Sequence, residues 1–171
     1  MRKLFIFSLF VLLLQGNHSI AQWNQVPIPS NNSLYSIDIH ESGLCYAAGI
    51  DIIKSEDFGL TWQEIVFTGP LAVYFESVIV NSIEVVNDSV VVAVGIYVFN
   101  NQPVIIRTQD NGITWTIEWQ GSAGTGYQMR DIEFYDELIG IAVGDSYTLR
   151  TTDGGLNWTS TGALVVIKST R

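Results

Sequence analysis

A single cysteine, Cys45, stands in a chain of 171 residues, so no disulfide can form within it. Histidine is nearly as scarce, with only His18 and His40. A zinc site draws several His and Cys ligands together, so no metal is expected, and nothing suggests another cofactor. Basic residues number 8 against 17 acidic ones, for a formal net charge of −9. A nucleic-acid backbone is gripped by clustered Lys and Arg, which excludes nucleic acid as a partner. Charged residues make only 15% of the chain and hydrophobic ones 47%, which excludes a disordered acidic tail. The longest apolar run, Leu4 to Leu14, has eleven residues. That is short of the about 20 needed to span a bilayer. No amphipathic helix of useful length is visible outside it.

The run has another reading. Met1-Arg2-Lys3 precedes it, and a polar stretch then leads to Ser19-Ile20-Ala21, with small residues where a signal peptidase cuts. Residues 1–21 are therefore expected to be a cleaved signal peptide, and residues 22–171 the mature domain. The protein is expected to be secreted, periplasmic or at the cell surface. No cysteine follows the cut, so a lipid anchor there is not expected. Cys45, inside Leu44-Cys45-Tyr46-Ala47-Ala48, reads as a small buried hydrophobe.

What the chain has in abundance is repetition. Ser55 to Trp62 (SEDFGLTW), Thr108 to Trp115 (TQDNGITW) and Thr151 to Trp158 (TTDGGLNW) share the pattern [ST]-x-D-x-G-x-[TN]-W. The Asp residues recur 53 and 43 residues apart. Self-similarity at such a period marks a repeat architecture. Upstream of each copy lies an apolar-acid-apolar triplet: Ile37-Asp38-Ile39, Ile83-Glu84-Val85 and Ile132-Glu133-Phe134. A small-apolar-Gly run follows, ending at Gly49, Gly95 and Gly144, and a cation stands three residues before each repeated Asp: Lys54, Arg107, Arg150. Short runs rich in Val, Ile, Tyr and Trp, cut by Gly, Asn and Asp, are strand and hairpin signals. One unit therefore reads as strand A, strand B ending in Gly, strand C, the Asp turn, and strand D opening with Trp.

The turn's chemistry follows from its residues. A short Asp side chain accepts backbone N–H bonds from residues just ahead, a role given to Asp57, Asp110 and Asp153. Gly59, Gly112 and Gly155 supply a positive φ. The hydroxyls of Ser55, Thr108 and Thr151 brace the turn from behind, and Trp62, Trp115 and Trp158 bury a large flat surface. Threefold recurrence in one local setting points to a structural clamp, and no catalytic residue is assigned.

This pattern resembles the Asp-box, or BNR repeat, of β-propellers, and the fuller unit is similar to repeats of photosystem II assembly-factor-like proteins of secreted bacterial type. The resemblance runs from about Trp23 to Trp158. It implies an all-β partial propeller of about three four-stranded blades. Sialidases, assembly factors and adhesin-like proteins all share it, so the implied functions diverge. The Arg-Ile-Pro motif of sialidases and their tyrosine–glutamate pair are absent. The reading taken is a noncatalytic module that binds or scaffolds a protein or a glycan; the alternative is a fragment of a sialidase-type glycoside hydrolase.

Propellers have four to eight blades, and three boxes leave blade edges open to self-association. A piece of a longer product is preferred over a ring closed by several copies or an open arc. Trp23-Asn24-Gln25-Val26 resembles a strand D without its box, and Leu164 to Ile167 reads as the start of a fourth unit.

Two expectations concern sites. Blade two has an insertion before strand A, Gly69 to Glu76, and another between strands B and C, Ile96 to Gln102. Insertions in repeat proteins form loops, often on a binding face. Tyr74, Phe75, Tyr97 and Phe99 are the candidate ligand-binding platform there. The repeated charges are expected to pair within each blade, Lys54 with Asp38, Arg107 with Glu84 and Arg150 with Glu133, crossing strand B over its small Ala. Gly121 to Gly126 reads as a flexible interblade loop.

Overall fold

The protein is seen in a computed structural model that describes residues 24–67 and 72–161. The expected signal peptide, Trp23 and the run Leu164 to Ile167 lie outside the described residues. Three four-stranded antiparallel sheets follow one another along the chain, each a meander in sequence order. Blade 1 comprises β1 (Leu34–Ile39), β2 (Cys45–Gly49), β3 (Ile52–Ser55) and β4 (Gln63–Glu64). A four-residue helix, α1 (Ala72–Phe75), precedes blade 2. That blade comprises β5 (Val78–Val85), β6 (Val91–Tyr97), β7 (Gln102–Thr108) and β8 (Thr116–Gln120). Blade 3 comprises β9 (Met129–Phe134), β10 (Gly140–Gly144), β11 (Thr148–Thr151) and β12 (Thr159–Ser160). This is the partial propeller that the repeats predict.

The sheets stack face to face. Alternation sends every second residue to one face, and each blade therefore offers two apolar faces. Between blades 1 and 2, Tyr46, Ala48 and Ile52 meet Ile83, Val85, Ala93 and Ile106. Between blades 2 and 3, Val92, Val94 and Ile105 meet Met129, Ile132, Ala142 and Leu149. Most of these side chains are essentially fully buried, and each large one contributes about 2 kcal/mol of transfer free energy. Cys45 is free and buried, as its apolar setting predicts.

The repeated glycine of strand B has a steric cause. The register of strand A slips opposite the end of strand B in every blade: between Leu34 and Ser36, between Val80 and Ser82, and opposite Val143/Gly144. At this bulge the strand A backbone leans onto the glycine. A Cβ on Gly49, Gly95 or Gly144 would lie 2.1, 2.0 or 2.5 Å from the carbonyl oxygen of Ser33, Ile79 or Gln128. Only a residue without a side chain fits.

Several sequence expectations need correction. The Ile96–Gln102 insertion is no loose loop. It lengthens the hairpin of β6 and β7, which stay paired as far as Tyr97 and Gln102. The insertion before β5 is partly helical, as α1. Residues 24–33 form no strand, so Asn24-Gln25-Val26 is not a strand D. Each repeated Trp lies just ahead of its strand rather than opening it.

Candidate functional site

The three Asp turns are built alike. The Ser55 hydroxyl accepts from the Gly59 amide at 2.9 Å and donates to Asp57 Oδ1 at 2.7 Å. Asp57 accepts from the Thr61 amide at 2.8 Å and from its hydroxyl at 2.6 Å. Thr108, Asp110, Gly112 and Thr114 repeat these bonds, as do Thr151, Asp153, Gly155 and Asn157. Gly59, Gly112 and Gly155 have φ of +81°, +84° and +85°. The Thr61 hydroxyl, its amide and the Ser55 hydroxyl together hold the Asp57 carboxyl down at about 2. Each Asp is thus an ionised acceptor fully engaged inside its own turn.

The tryptophans are not equivalent. Trp62 and Trp158 each donate Nε1–H to the carbonyl of their own turn glycine at 3.0 Å. Trp115 is 6% exposed, and among the described residues its Nε1 finds no acceptor. Its ring meets Phe67 edge-on at 6.3 Å, inside the core between blades 1 and 2. The repeat pattern gives no hint of this divergence.

The charges do not pair within blades as expected. The register puts Asp38, Tyr46 and Lys54 opposite one another, then Glu84, Val92 and Arg107, and then Glu133, Ile141 and Arg150. The residue standing between acid and cation is therefore Tyr46, Val92 or Ile141, not the small Ala one position on, which faces the other way. In blades 1 and 2 each charge turns instead to the next blade. Asp38 Oδ2 accepts from the Val85 amide at 2.7 Å, and the Glu84 carboxyl faces the Phe134 amide at the equivalent place. Lys54 Nζ donates to the Asn111 carbonyl at 3.3 Å, and Arg107 Nε donates to the Gly154 carbonyl at 2.9 Å. Asn111 and Gly154 occupy the same turn position, just after the box Asp, and both have positive φ. Lys54 also pairs with Glu56 at 2.9 Å. Burial, with Asp38 and Glu133 nearby, pushes Glu84 up to about 7.

Smaller ties missed by sequence reasoning follow the same direction. His40 Nδ1 lies 3.1 Å from Asp88 in the next blade, and Asn87 donates to Glu137 in the one after. Pairs of polar loop residues 48 or 50 positions apart carry no local signal.

The inserted blade gathers the four predicted aromatics. Tyr74 and Tyr97 stack with centroids 3.9 Å apart, Tyr97 and Phe99 lie at 5.8 Å, and Tyr74 meets Phe75 edge-on at 5.8 Å. Phe75 belongs to the core at 4% exposure and stacks on Phe67. The accessible part of the cluster is Tyr74, Tyr97 and Phe99, the last 73% exposed. Gln120 Nε2 donates to Tyr74 Oη at 2.6 Å, a partner the sequence does not suggest. The Gly121–Gly126 loop crosses from blade 2 to blade 3, tied by the Gly124 amide to the Asn100 carbonyl. Among the described residues no three His, Cys, Asp or Glu side chains converge as a metal site requires.

Comparison with solved structures returns propellers. The chain superposes on YCF48 from Cyanidioschyzon merolae with a TM-score of 0.62 and 22% identity, covering 82% of this chain and 43% of that one. It superposes on YCF48 bound to D1 peptide with a TM-score of 0.59 and 16% identity, covering 79% and 42%. It is also similar to the GH74 xyloglucanase from Xanthomonas campestris, with a TM-score of 0.56 and 15% identity, covering 81% and 22%. The chain thus spans less than half the length of the solved propellers it matches. No family profile and no curated protein matches the sequence.

Proposed function

We propose that the chain is an exported, noncatalytic propeller module that binds a protein segment through the aromatic cluster of blade 2 and associates through its open blade faces. The observation that carries the binding reading is the convergence of Tyr74, Tyr97 and Phe99 at the one blade with insertions, with Phe99 standing 73% exposed. Aromatic rings with one polar edge are favoured contact residues for protein partners. The likeness to YCF48 bound to D1 peptide supports a peptide as the ligand class. Export rests on residues 1–21, whose charged start, apolar run and small-residue cut site fit a secretory signal.

A glycan is the second reading. It is favoured by the likeness to GH74 enzymes and by the open face of Phe99, which suits a sugar ring. The two are separated by selecting a displayed random-peptide library and probing an oligosaccharide array with the same protein. Peptide enrichment that Phe99→Ala abolishes supports the first reading. Array binding with the same sensitivity supports the second. Binding of either kind that Phe99→Ala and Tyr97→Ala leave unchanged overturns the aromatic site.

A further inference from the structure

The two junctions inside the chain are copies of one another, and each has a direction. In both, one blade offers an acid from strand A, a large apolar residue from strand B and a cation from strand C. The next blade offers two apolar residues of strand A, a strand A edge amide, and a box carbonyl in the left-handed region. At the first junction these are Asp38, Tyr46 and Lys54 against Ile83, Val85 with its amide, and Asn111. At the second they are Glu84, Val92 and Arg107 against Ile132, Phe134 with its amide, and Gly154.

The ends of the arc carry the two halves of a third such junction. Blade 3 presents Glu133, Ile141 and Arg150, opposite one another in register. Ile141 is 48% exposed, whereas its equivalents Tyr46 and Val92 are fully buried. Blade 1 presents Ile37 and Ile39 at 60% and 57% exposure, whereas their equivalents Ile83 and Val85 are at 2% and 5%. Its box residue Phe58, equivalent to Asn111 and Gly154, has φ of +58° and is 66% exposed. The donor face and the acceptor face are thus of one kind, and they lie at opposite ends of the three described blades.

We propose that the open face of blade 3 seats on the open face of blade 1 of a second copy of this chain, and reciprocally, so that two copies close a six-bladed ring. A heterologous contact of this sort ends in a ring when its rotation closes. Six blades fall within the four to eight that propellers adopt. In the ring Glu133 accepts from the Ile39 amide of the other copy, and Arg150 donates to its Phe58 carbonyl, as the two internal junctions do. The inference rests on the self-association reading above and specifies its partner and direction.

Sedimentation velocity on the protein in the form its host produces tests it, with Ile37→Glu and Ile141→Glu as variants at exposed positions. The wild type is expected at twice the chain mass, and each variant alone at the chain mass. An equal mixture of the two variants is expected to regain a dimer, because one of its two junctions is intact. That dimer should dissociate more readily than the wild type, by a factor on the order of 10² or more, since it lacks the second, intramolecular contact. A variant that had merely unfolded restores nothing on mixing. A wild-type dimer that survives either substitution, or variants whose mixture stays monomeric, overturns head-to-tail closure and leaves self-association standing. A wild type that is monomeric at all concentrations overturns both.

Discussion

Arg107 Nε donates to the carbonyl of Gly154 at 2.9 Å, joining a strand of blade 2 to the Asp turn of blade 3 across 47 residues of sequence. One blade earlier Lys54 makes the same reach to Asn111. The repeated cation thus acts as a clasp between blades, and the repeated acid beside it is a second clasp on the next edge strand.

Arg107 is 6% exposed, so its loss leaves a buried carbonyl without its charged donor. Arg107→Leu is expected to lower the unfolding free energy by about 1.5–3 kcal/mol, the range for hydrogen bonds to charged groups. Lys54→Leu is expected to cost less, about 1 kcal/mol, because its bond to the Asn111 carbonyl is longer, at 3.3 Å, and its ion-pair partner Glu56 is exposed. Urea midpoints at constant m-value report both.

The glycine at the bulge gives a sharper effect. Gly95→Ala would drive a Cβ to 2.0 Å from the Ile79 carbonyl oxygen, backbone against backbone, in the best-buried blade. A loss of about 3 kcal/mol or more is expected. Gly124→Ala meets nothing within 4 Å and differs only by the strain of φ +71°, so about 1 kcal/mol is expected. Thermal unfolding of the two variants should rank them in that order.

Within the turns, Asp110→Ala removes the acceptor for the Thr108 hydroxyl and for the Thr114 amide and hydroxyl. A destabilisation of about 1–3 kcal/mol is expected, with any binding activity kept at temperatures where the variant stays folded. Loss of binding in a fully folded Asp110→Ala protein would contradict the structural role.

Two sets of carboxyls oppose one another in pH. Bonds from the Thr61 hydroxyl and amide and from Ser55 hold Asp57 down at about 2, and bonds from Asn157 hold Asp153 low. Their contribution is complete above about pH 4 and is lost as pH falls towards 2. Glu84, pushed up to about 7 by burial and by Asp38 and Glu133, acts the other way. Its folded form holds a proton that the unfolded chain releases near 4.5, so stability falls as pH rises from about 4.5 through 7. The melting temperature is therefore expected to peak at about pH 4 to 5, and Glu84→Gln is expected to flatten the decline above it. A wild-type curve rising steadily to pH 8 would sink this account of Glu84.

Much of the fold was legible because the repeat unit writes its chemistry locally. Ser55, Asp57, Gly59 and Thr61 bond within five residues of one another, and such a motif survives in the sequence as a pattern. The alternation in Ile37-Asp38-Ile39 and its copies likewise assigns strand faces. The clasps were not legible, since Lys54 meets Asn111 and Arg107 meets Gly154 only once blades stack. Strand B alternates by single residues, so expecting a small Ala between acid and cation puts the wrong face there: the register sets Tyr46, not Ala47, between Asp38 and Lys54. Trp115 was hidden for a different reason. Its neighbour Phe67 lies outside the repeat unit, ahead of the insertion, and turns that Trp from a turn brace into a core residue.

Amide hydrogen exchange at Val85, Phe134 and Ile39 tests the clasp account most directly. These three amides hold one position on the exposed edge of strand A in blades 1 to 3. Slow exchange is predicted at Val85 and Phe134 in the wild type and in Ile141→Glu, and it is lost at Val85 in Asp38→Ala. Ile39 is predicted to be slow in the wild type and fast in Ile141→Glu, where the second copy cannot seat. Fast exchange at Val85 and Phe134 in the wild type would contradict the clasp between blades.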